Sequence, residues 1–285
     1  IKNLESDLFV KISLMKKLIA FLILNLLKSL FNVLSKLNNK EGVLLEKIIN
    51  EANFSIGKGF GGINTQDKEI YQVVKFLDRD KKNLIIDVGA NIGSYSEKLI
   101  KILNNIEIVL FEPNSENYNI LINKFIDVEN VSIQKYGLSD KKGVTKLFSD
   151  FPGSGLASIS KRNLDHFGIE FNYEEEIDLI KFDDYWSNEL NERTIDLIKL
   201  DIEGHELNAL GGAVNSMKKT KLVQFEFGGC NVDSRTFFRD YWYFFINNDF
   251  SIHRITPSGT IECKTYKEDY EYFKTTNYLA VNNNI

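Results

Sequence analysis

The chain has 285 residues, of which 43% are hydrophobic and 12% aromatic, so it can bury a substantial core. Its net charge of −5 argues against nucleic acid as a partner. The cysteines Cys230 and Cys263 and three scattered histidines form neither a disulfide framework nor a zinc cluster, so no metal site is predicted. This cysteine usage fits a reducing compartment, and we expect a cytoplasmic location.

Residues 1–52 are predicted to form a helical extension. After Met15, two lysines precede an apolar run whose polar residues fall on one narrow helical stripe, and every charged residue between Phe9 and Asn39 is lysine. A basic amphipathic helix of this kind is typical of membrane surfaces, and the polar interruptions argue against a spanning helix. We expect residues 1–40 either to contact a membrane peripherally or to pack on the domain or on a partner chain.

Beyond a glycine-rich linker, residues 53–285 alternate between predicted strands and helices. The strands include "NLIIDVG", "IEIVLFE", "VSIQKYGL", "IDLIKLD" and "KLVQFEF", and one helix is expected to begin with a capping box of Ser94 and Glu97. Such alternation predicts an α/β fold with a mostly parallel sheet and helices on both faces. Ligands of such sheets bind beyond the carboxyl ends of the strands.

The first predicted strand ends in "DVGANIG", residues 87–93. Gly89 and Gly93 permit a tight turn close to a ligand. The stretch differs from the dinucleotide pattern G-x-G-x-x-G, which argues against a nicotinamide oxidoreductase, and no P-loop lysine follows it. The turn therefore predicts a ligand site without a triphosphate.

The next two strand ends supply the rest of an adenosine site. Glu112 follows Gly93 by 19 positions, close to the spacing at which a carboxylate accepts hydrogen bonds from ribose hydroxyls. Leu138, after the third strand, offers an apolar shelf for adenine. The predicted cofactor-binding residues are Asp87, Gly89, Ala90, Asn91, Gly93, Glu112, Pro113, Asn114, Gly137 and Leu138.

Five separated motifs together resemble the FkbM-type methyltransferases, over roughly residues 83–250. They are "LIIDVGANIGSYS", "VLFEPNSENY", "YGLSD", "GSGLASIS" and "IDLIKLDIEGHELNALGGA". The resemblance implies a class I methyltransferase (Rossmann-like) sheet with an antiparallel last strand. It also implies S-adenosylmethionine as cofactor and methyl transfer to a hydroxyl of a sugar, polyketide or related metabolite.

The segment "DIEGHE" ends the fourth strand, where the methyl donor should face its acceptor. A hydroxyl becomes a good nucleophile when a base takes its proton. His205 titrates in the working range, and Asp201 and Glu203 could orient it or accept the proton themselves. We therefore predict catalytic roles for Asp201, Glu203 and His205, and interpret Glu206 as a first-turn helix charge.

Together these motifs predict an S-adenosylmethionine-dependent O-methyltransferase that acts on a sugar, glycan or related small-molecule hydroxyl. Two alternatives stay open: assistance by a divalent cation held by Asp201 and Glu226, and a non-catalytic protein that binds an adenosine cofactor. Self-association also stays open. The absence of an Asn/Asp-Pro-Pro-aromatic motif after the fourth strand argues against an amino methyltransferase, and "GSGLASI" is a candidate lid over the acceptor.

Overall fold

A computed structural model of the chain describes residues 2–37, 43–62, 64–103 and 105–285. The chain divides into two compact units, Ile1–Asn53 and Phe54–Ile285. The first contains α1 (Lys2–Leu37) and most of α2 (Val43–Ser55).

The predicted N-terminal helix is present as α1. Within it, Leu14–Ser35 is a 22-residue segment with a mean hydropathy of 1.9, long and apolar enough to cross a membrane by length and composition. The polar residues had argued against spanning, but the segment that contains them still meets the length and composition expected of a spanning helix. The structure therefore describes a helix that meets the length requirement for spanning as well as for lying on a surface.

The second unit alternates between strands and helices, as predicted. Its elements are, in chain order, α3 (Gln66–Val74), β1 (Asn83–Val88), α4 (Ser94–Ile102), β2 (Ile106–Phe111), α5 (Ser115–Lys124), β3 (Val131–Gln134), β4 (Gly137–Leu138), β5 (Gly143–Ser149), β6 (Tyr173–Ile180), α6 (Phe182–Asn188), β7 (Ile195–Leu200), α7 (Glu206–Gly211), α8 (Val214–Met217), β8 (Thr220–Phe227), α9 (Cys230–Ser234), α10 (Phe238–Asn247), β9 (Phe250–Thr256), β10 (Gly259–Glu262) and β11 (Thr276–Asn282).

Eight strands form the main sheet, in the order β10-β9-β11-β8-β7-β1-β2-β3. The run from β8 to β3 is parallel, whereas β11 pairs antiparallel with both β8 and β9. All six residues of β1 and all six of β7 are buried, as expected for central strands covered on both faces. The predicted mostly parallel sheet is confirmed, and so is the antiparallel last strand that the resemblance implied.

Helices cover both faces of this sheet. On one face Phe225 of β8 stacks with Tyr241 and Phe245 of α10, at ring-centroid distances of 5.2 and 4.9 Å. On the other face Val73 of α3 and Leu99 of α4 join a separate apolar cluster. The core therefore lies in two layers that hold the strand ends in place.

Two local predictions were wrong. "VSIQKYGL" is not one strand, because β3 stops at Gln134 and β4 joins β5 and β6 in a separate three-stranded sheet. The predicted capping box is also absent. Gly93, with a left-handed φ of 75°, is the N-cap of α4, so Ser94 is already the first helical residue and its side chain makes no cap bond. A glycine that accepts a left-handed conformation replaced the side-chain cap.

Candidate active site

A cavity of about 660 Å³ opens at the carboxyl ends of β1, β2 and β7, a size typical of small-molecule sites. The segment 154–157, within the predicted lid, also lines it. The predicted site residues on its wall are Gly89, Ala90, Asn91, Glu112, Pro113, Gly137, Leu138, Asp201, Glu203 and His205. The structure therefore brings the two predicted groups, for cofactor and for catalysis, to one cavity.

Three predicted cofactor residues lie behind this wall instead. Asp87 is fully buried and accepts a hydrogen bond from the Ser96 hydroxyl at 2.6 Å. A Cβ on Gly93 would lie 2.6 Å from the Phe125 ring, so this glycine permits packing between helices. Asn114 caps α5 and donates its side-chain amide to Glu175. These residues support the turns that face the cavity and do not line it.

Gly89 holds the turn after β1 against the end of β7. Its φ is +73°, and a Cβ there would collide with the backbone oxygen of Asp201. The backbone amides of Gly89 and Ala90 both donate to the Phe111 carbonyl, at 3.0 and 3.1 Å. The missing Cβ therefore serves a close approach between two strand ends, and not only the approach of a ligand as the sequence suggested.

Glu112 is a buried carboxyl at the end of β2. Its two oxygens accept hydrogen bonds from the backbone amides of Asn91, at 2.7 Å, and Asn114, at 2.9 Å. Burial raises the pKa of Glu112 to about 7, although these two hydrogen bonds oppose the shift. The carboxyl is therefore held in one orientation on the cavity wall, where its remaining lone pairs can accept from a diol.

The cavity wall near Glu112 also fits the rest of an adenosine. Leu138, Leu147 and Ile177 provide an apolar surface. Asn117, 2% exposed, lines the cavity, and its side-chain oxygen has no hydrogen-bond partner within the described residues. A buried acceptor without a partner suits the amino group of a base. The residues present therefore fit an adenosine cofactor, and Asn117 was missed because helix positions give no signal of cavity contact.

Lys199, near the end of β7, contacts two carboxylates and a backbone carbonyl. Its Nζ lies 3.3 Å from Asp87 Oδ1, 3.3 Å from Asp201 Oδ2, and 3.2 Å from the Gly89 carbonyl oxygen, to which it donates. Burial alone would lower the pKa of Lys199, but the two carboxylates outweigh burial and raise it. In the sequence Lys199 looked like an interruption of an apolar strand. A lysine in such a strand signals a paired charge.

The loop after β7 holds the other two predicted catalytic side chains. Glu203, with a left-handed φ of 53°, accepts a hydrogen bond from Arg162 Nη1 at 2.6 Å. Burial and then the charge of Asp201 raise the pKa of Glu203 to about 8, against the opposing charge of Arg162. His205 Nε2 lies 3.0 Å from the Ser160 hydroxyl, and burial lowers the pKa of the imidazole. A neutral His205 can accept a proton near neutral pH.

The Glu206 side chain accepts hydrogen bonds from the backbone of this loop. It is fully buried and accepts hydrogen bonds from the amides of Ile202, at 3.0 Å, and Gly204, at 3.2 Å, and from the Tyr241 hydroxyl at 3.0 Å. Glu206 does lie in the first turn of α7, as the sequence indicated, but it is a buried hydrogen-bond acceptor as well as a helix charge. It fixes the backbone that presents Glu203 and His205.

A polar wall formed by α3, β8 and β11 also lines the cavity. It contains Gln66, Glu69, Gln224, Glu226 and Asn277. Burial raises the pKa of Glu69 to about 7, and burial followed by neighbouring carboxylates raises that of Glu226. Apart from Glu226, these residues carried no signal in the sequence, because the elements that hold them lie far apart in the chain.

A cation held by Asp201 and Glu226 would need further ligands. Among the described residues, no group of three or more histidine, cysteine, aspartate or glutamate side chains is arranged to hold a metal ion. The proposed pair of Asp201 and Glu226 therefore gains no third protein ligand within that part of the chain.

The sheet order and the cavity at the strand ends define a class I methyltransferase fold, and the family match identifies the chain as an S-adenosylmethionine-dependent methyltransferase. Residues 87–252, more than half of the chain, match the methyltransferase FkbM domain family, and the chain belongs to that family. The resemblance found in the motifs is thereby confirmed.

The chain is also similar to one curated relative and to two solved structures. The 2-O-methyltransferase NoeI of Sinorhizobium fredii (strain NBRC 101917 / NGR234) is 21% identical over 197 residues, which cover 66% of this chain and 79% of NoeI. The structure of magnesium protoporphyrin IX methyltransferase of Synechocystis PCC 6803, with bound S-adenosylmethionine, is 12% identical with a TM-score of 0.39. The match covers 83% of this chain and 96% of the chain of that structure. The structure of precorrin-6y C5,15-methyltransferase of Geobacter metallireducens GS-15 is 9% identical with a TM-score of 0.41, and the match covers 77% of this chain and 88% of the chain of that structure.

Proposed function

We propose that this methyltransferase transfers a methyl group to a hydroxyl of a sugar, a glycan or a related metabolite. The observation that carries the proposal is that Asp201, Glu203 and His205 line the same cavity as Glu112. Proton acceptors beside the cofactor are what transfer to a hydroxyl requires. The name of the relative NoeI, a 2-O-methyltransferase, supports an oxygen acceptor.

Several residues of the chain would hold the cofactor. The carboxyl of Glu112 accepts hydrogen bonds from the ribose hydroxyls. The turn 89–91 leaves room for the methionine part of the cofactor, and Leu138 and Ile177 contact the adenine base. Asn117 offers its unsatisfied oxygen to the amino group of the base. When bound, S-adenosylmethionine supplies an electrophilic methyl group on a cationic sulfonium.

The residues after β7 would activate the acceptor. In the tautomer whose Nε2–H donates to the Ser160 hydroxyl, 3.0 Å away, this bond orients the ring of His205, and Nδ1 accepts the hydroxyl proton as the oxygen attacks. Asp201 is the alternative proton acceptor, and its carboxylate also offsets the positive charge of the donor before transfer.

The polar wall formed by α3, β8 and β11 supports a hydroxyl-rich acceptor. Gln66, Gln224 and Asn277 carry amide groups that can both donate and accept, and Glu69 and Glu226 can accept. Tyr95 donates to Gln224 at 2.5 Å, and Gln224 donates to Asn277 at 3.4 Å, so part of the wall is a connected network. Such a surface suits the hydroxyls of a sugar better than an apolar acceptor.

An acceptor screen tests the proposal. Purified protein is incubated with S-adenosylmethionine labelled in the methyl group and with mono- and oligosaccharides, and products are analysed for label and methylated position. We expect label in an ether linkage to a saccharide hydroxyl. Transfer only to amines, or donor binding without transfer to any hydroxyl compound, would contradict the proposal. Loss of transfer on chelation, restored by magnesium, would favour the cation-assisted alternative.

A further inference from the structure

We propose that Lys199 is a positioning residue, which fixes the Asp201 carboxylate at the reacting end of the cavity and ties it to the glycine turn after β1. The proposal rests on the proposed function, because it assigns Asp201 a place beside the acceptor hydroxyl. The proposal assigns a role to Lys199, a residue that the proposed function does not itself use.

The strand geometry places the three charged groups together. Lys199 is the penultimate residue of β7, and Asp201 directly follows the strand, where its backbone amide donates to the Val88 carbonyl at 3.1 Å. The parallel register pairs Lys199 with Asp87 of β1. The ammonium therefore lies between one carboxylate from each strand end, 3.3 Å from both.

The two carboxylates have different surroundings. The Asp87 side chain is 0% exposed and also accepts from Ser96, whereas the Asp201 side chain is 42% exposed and lines the cavity. Asp87 can therefore only anchor the ammonium. Asp201 is the carboxylate that a ligand can reach, and the anchored ammonium restricts its rotation.

The ammonium itself has little freedom. The Lys199 side chain is 8% exposed, and its Nζ lies 5.5 Å from the centre of the Tyr95 ring, close enough for a cation–π contact. Nζ also donates to the Gly89 carbonyl at 3.2 Å. One fixed charge thus contacts both the turn predicted to hold the cofactor and the side chain predicted to face the acceptor.

Loss of this link should lower turnover more than donor affinity. A misplacement of about 1 Å in a reacting group can lower a rate about 100-fold. The Gly89 turn keeps its own support without Lys199, because the amides of Gly89 and Ala90 both donate to the Phe111 carbonyl. We therefore expect the main effect on kcat and a small one on the KM for the donor.

The test needs variants that still fold. Removing Lys199 alone would leave the buried Asp87 carboxylate without its cation, which is strongly destabilising. The informative comparison is Asp87→Asn/Lys199→Ala against Asp87→Asn, in which the buried carboxylate is neutral in both. Lys221→Ala is the matched control, since Lys221 pairs with Asp196 at 2.6 Å and does not line the cavity.

Kinetics are measured with labelled S-adenosylmethionine and the saccharide set. We expect Asp87→Asn/Lys199→Ala to show about 100-fold lower kcat than Asp87→Asn, with the donor KM changed by no more than about threefold. Added n-propylammonium, which matches the deleted atoms, should restore much of the activity, whereas n-propanol of similar size should not. Unchanged kcat, or equal rescue by the alcohol, would show that Lys199 does not position Asp201 through its charge.

A second measurement needs no acceptor. The carboxyl groups are labelled with a water-soluble carbodiimide and an amine and mapped by mass spectrometry, with exposed Asp184 as internal standard. We expect Asp201 to react faster in Asp87→Asn/Lys199→Ala than in Asp87→Asn, because its ion pair is gone. Equal reactivity of Asp201 would overturn the inference. If the wild-type protein methylates no saccharide while the Asp201 labelling changes as expected, the proposed function fails and the link from Lys199 to Asp201 stands.

Discussion

The carboxyl of Glu112 has a structural role and a predicted role in cofactor binding. It accepts backbone hydrogen bonds from Asn91 and Asn114, and it lines the cavity at the position predicted for the ribose. A hydrogen bond to a charged group contributes about 1.5–3 kcal/mol. Glu112→Ala should therefore weaken binding of S-adenosylmethionine and of its demethylated product by about that amount, as measured by calorimetry.

Glu116→Ala is the control for Glu112→Ala, because Glu116 lies on the exposed side of α5 and does not line the cavity. It should leave donor affinity unchanged. Equal affinity in the Glu112 variant would remove Glu112 from the cofactor site. Tighter binding of NADH than of S-adenosylmethionine would contradict the cofactor assignment itself.

His205 should affect chemistry more than binding. Loss of a positioned general base lowers the rate by about 10²–10⁴-fold, so His205→Ala should lower kcat by that range while calorimetry shows donor binding retained. Burial lowers the pKa of His205 from 6.5, so protonation of His205 should reduce wild-type activity only when the pH drops below that value. His166→Ala, at an exposed histidine outside the cavity, is the control. Normal turnover of His205→Ala would make His205 a structural residue.

At the scale of elements, local sequence predicted the strands better than the contacts between them. "IDLIKLD" is an apolar run, so β7 and the functional loop after it could be predicted. Arg162, by contrast, reaches Glu203 from 41 positions away, and Tyr95 reaches Gln224 across 129. No local pattern reports such contacts, which is why the polar wall and the partner of Glu203 were missed.

Residues at helix ends show that the motifs alone did not predict which cofactor-motif residues line the cavity. Gly93 and Asn114 fall in the right motifs, but they cap α4 and α5 and do not line the cavity. A motif shows which turn matters, while the direction of each side chain depends on how the following helix packs. The place of Glu112 on the cavity wall was predictable, because it directly follows β2, the strand beside β1. Its contact with the ribose stays a prediction.

Helix α1 carries a prediction of its own. Its segment Leu14–Ser35 would span about 33 Å at 1.5 Å per residue, and apolar surface left in water costs about 25 cal/mol per Å². We expect the lysine-bearing helix to lie on an anionic membrane surface. The full chain should sediment with anionic vesicles, release in high salt and bind no vesicles once residues 1–53 are removed.

Other outcomes distinguish the remaining roles of α1. Retention in the membrane after an alkaline carbonate wash would show that the helix spans it. A soluble full chain that ignores vesicles, combined with unfolding of the truncated chain, would show that α1 belongs to the core or to a subunit interface. Neutral vesicles are the control for the role of charge.

At the scale of the whole molecule, the cavity collects carboxyl groups that folding removes from water. Burial raises the pKa values of Glu69 and Glu112 to about 7 and that of Glu203 to about 8, from an ordinary 4.5. A carboxyl whose pKa is higher in the folded state binds protons more tightly there. Its contribution to stability is therefore complete below about pH 4.5 and is lost as the pH rises through 7 to 8. A cationic donor would compensate these charges when they form.

Glu69→Gln isolates this effect, because the amide oxygen can still accept from the Thr65 hydroxyl while the charge is removed. The raised pKa of Glu69 corresponds to on the order of 3 kcal/mol of unfolding free energy once the carboxyl must ionise. At pH 8 the variant should unfold on the order of 5–10 °C above the wild-type protein, measured without ligand by calorimetry, and at pH 4.5 the two should differ little. Glu116→Gln, at an exposed site, should shift neither. A Glu69→Gln shift of equal size at both pH values would mean that packing, and not ionisation, decides the stability of this wall.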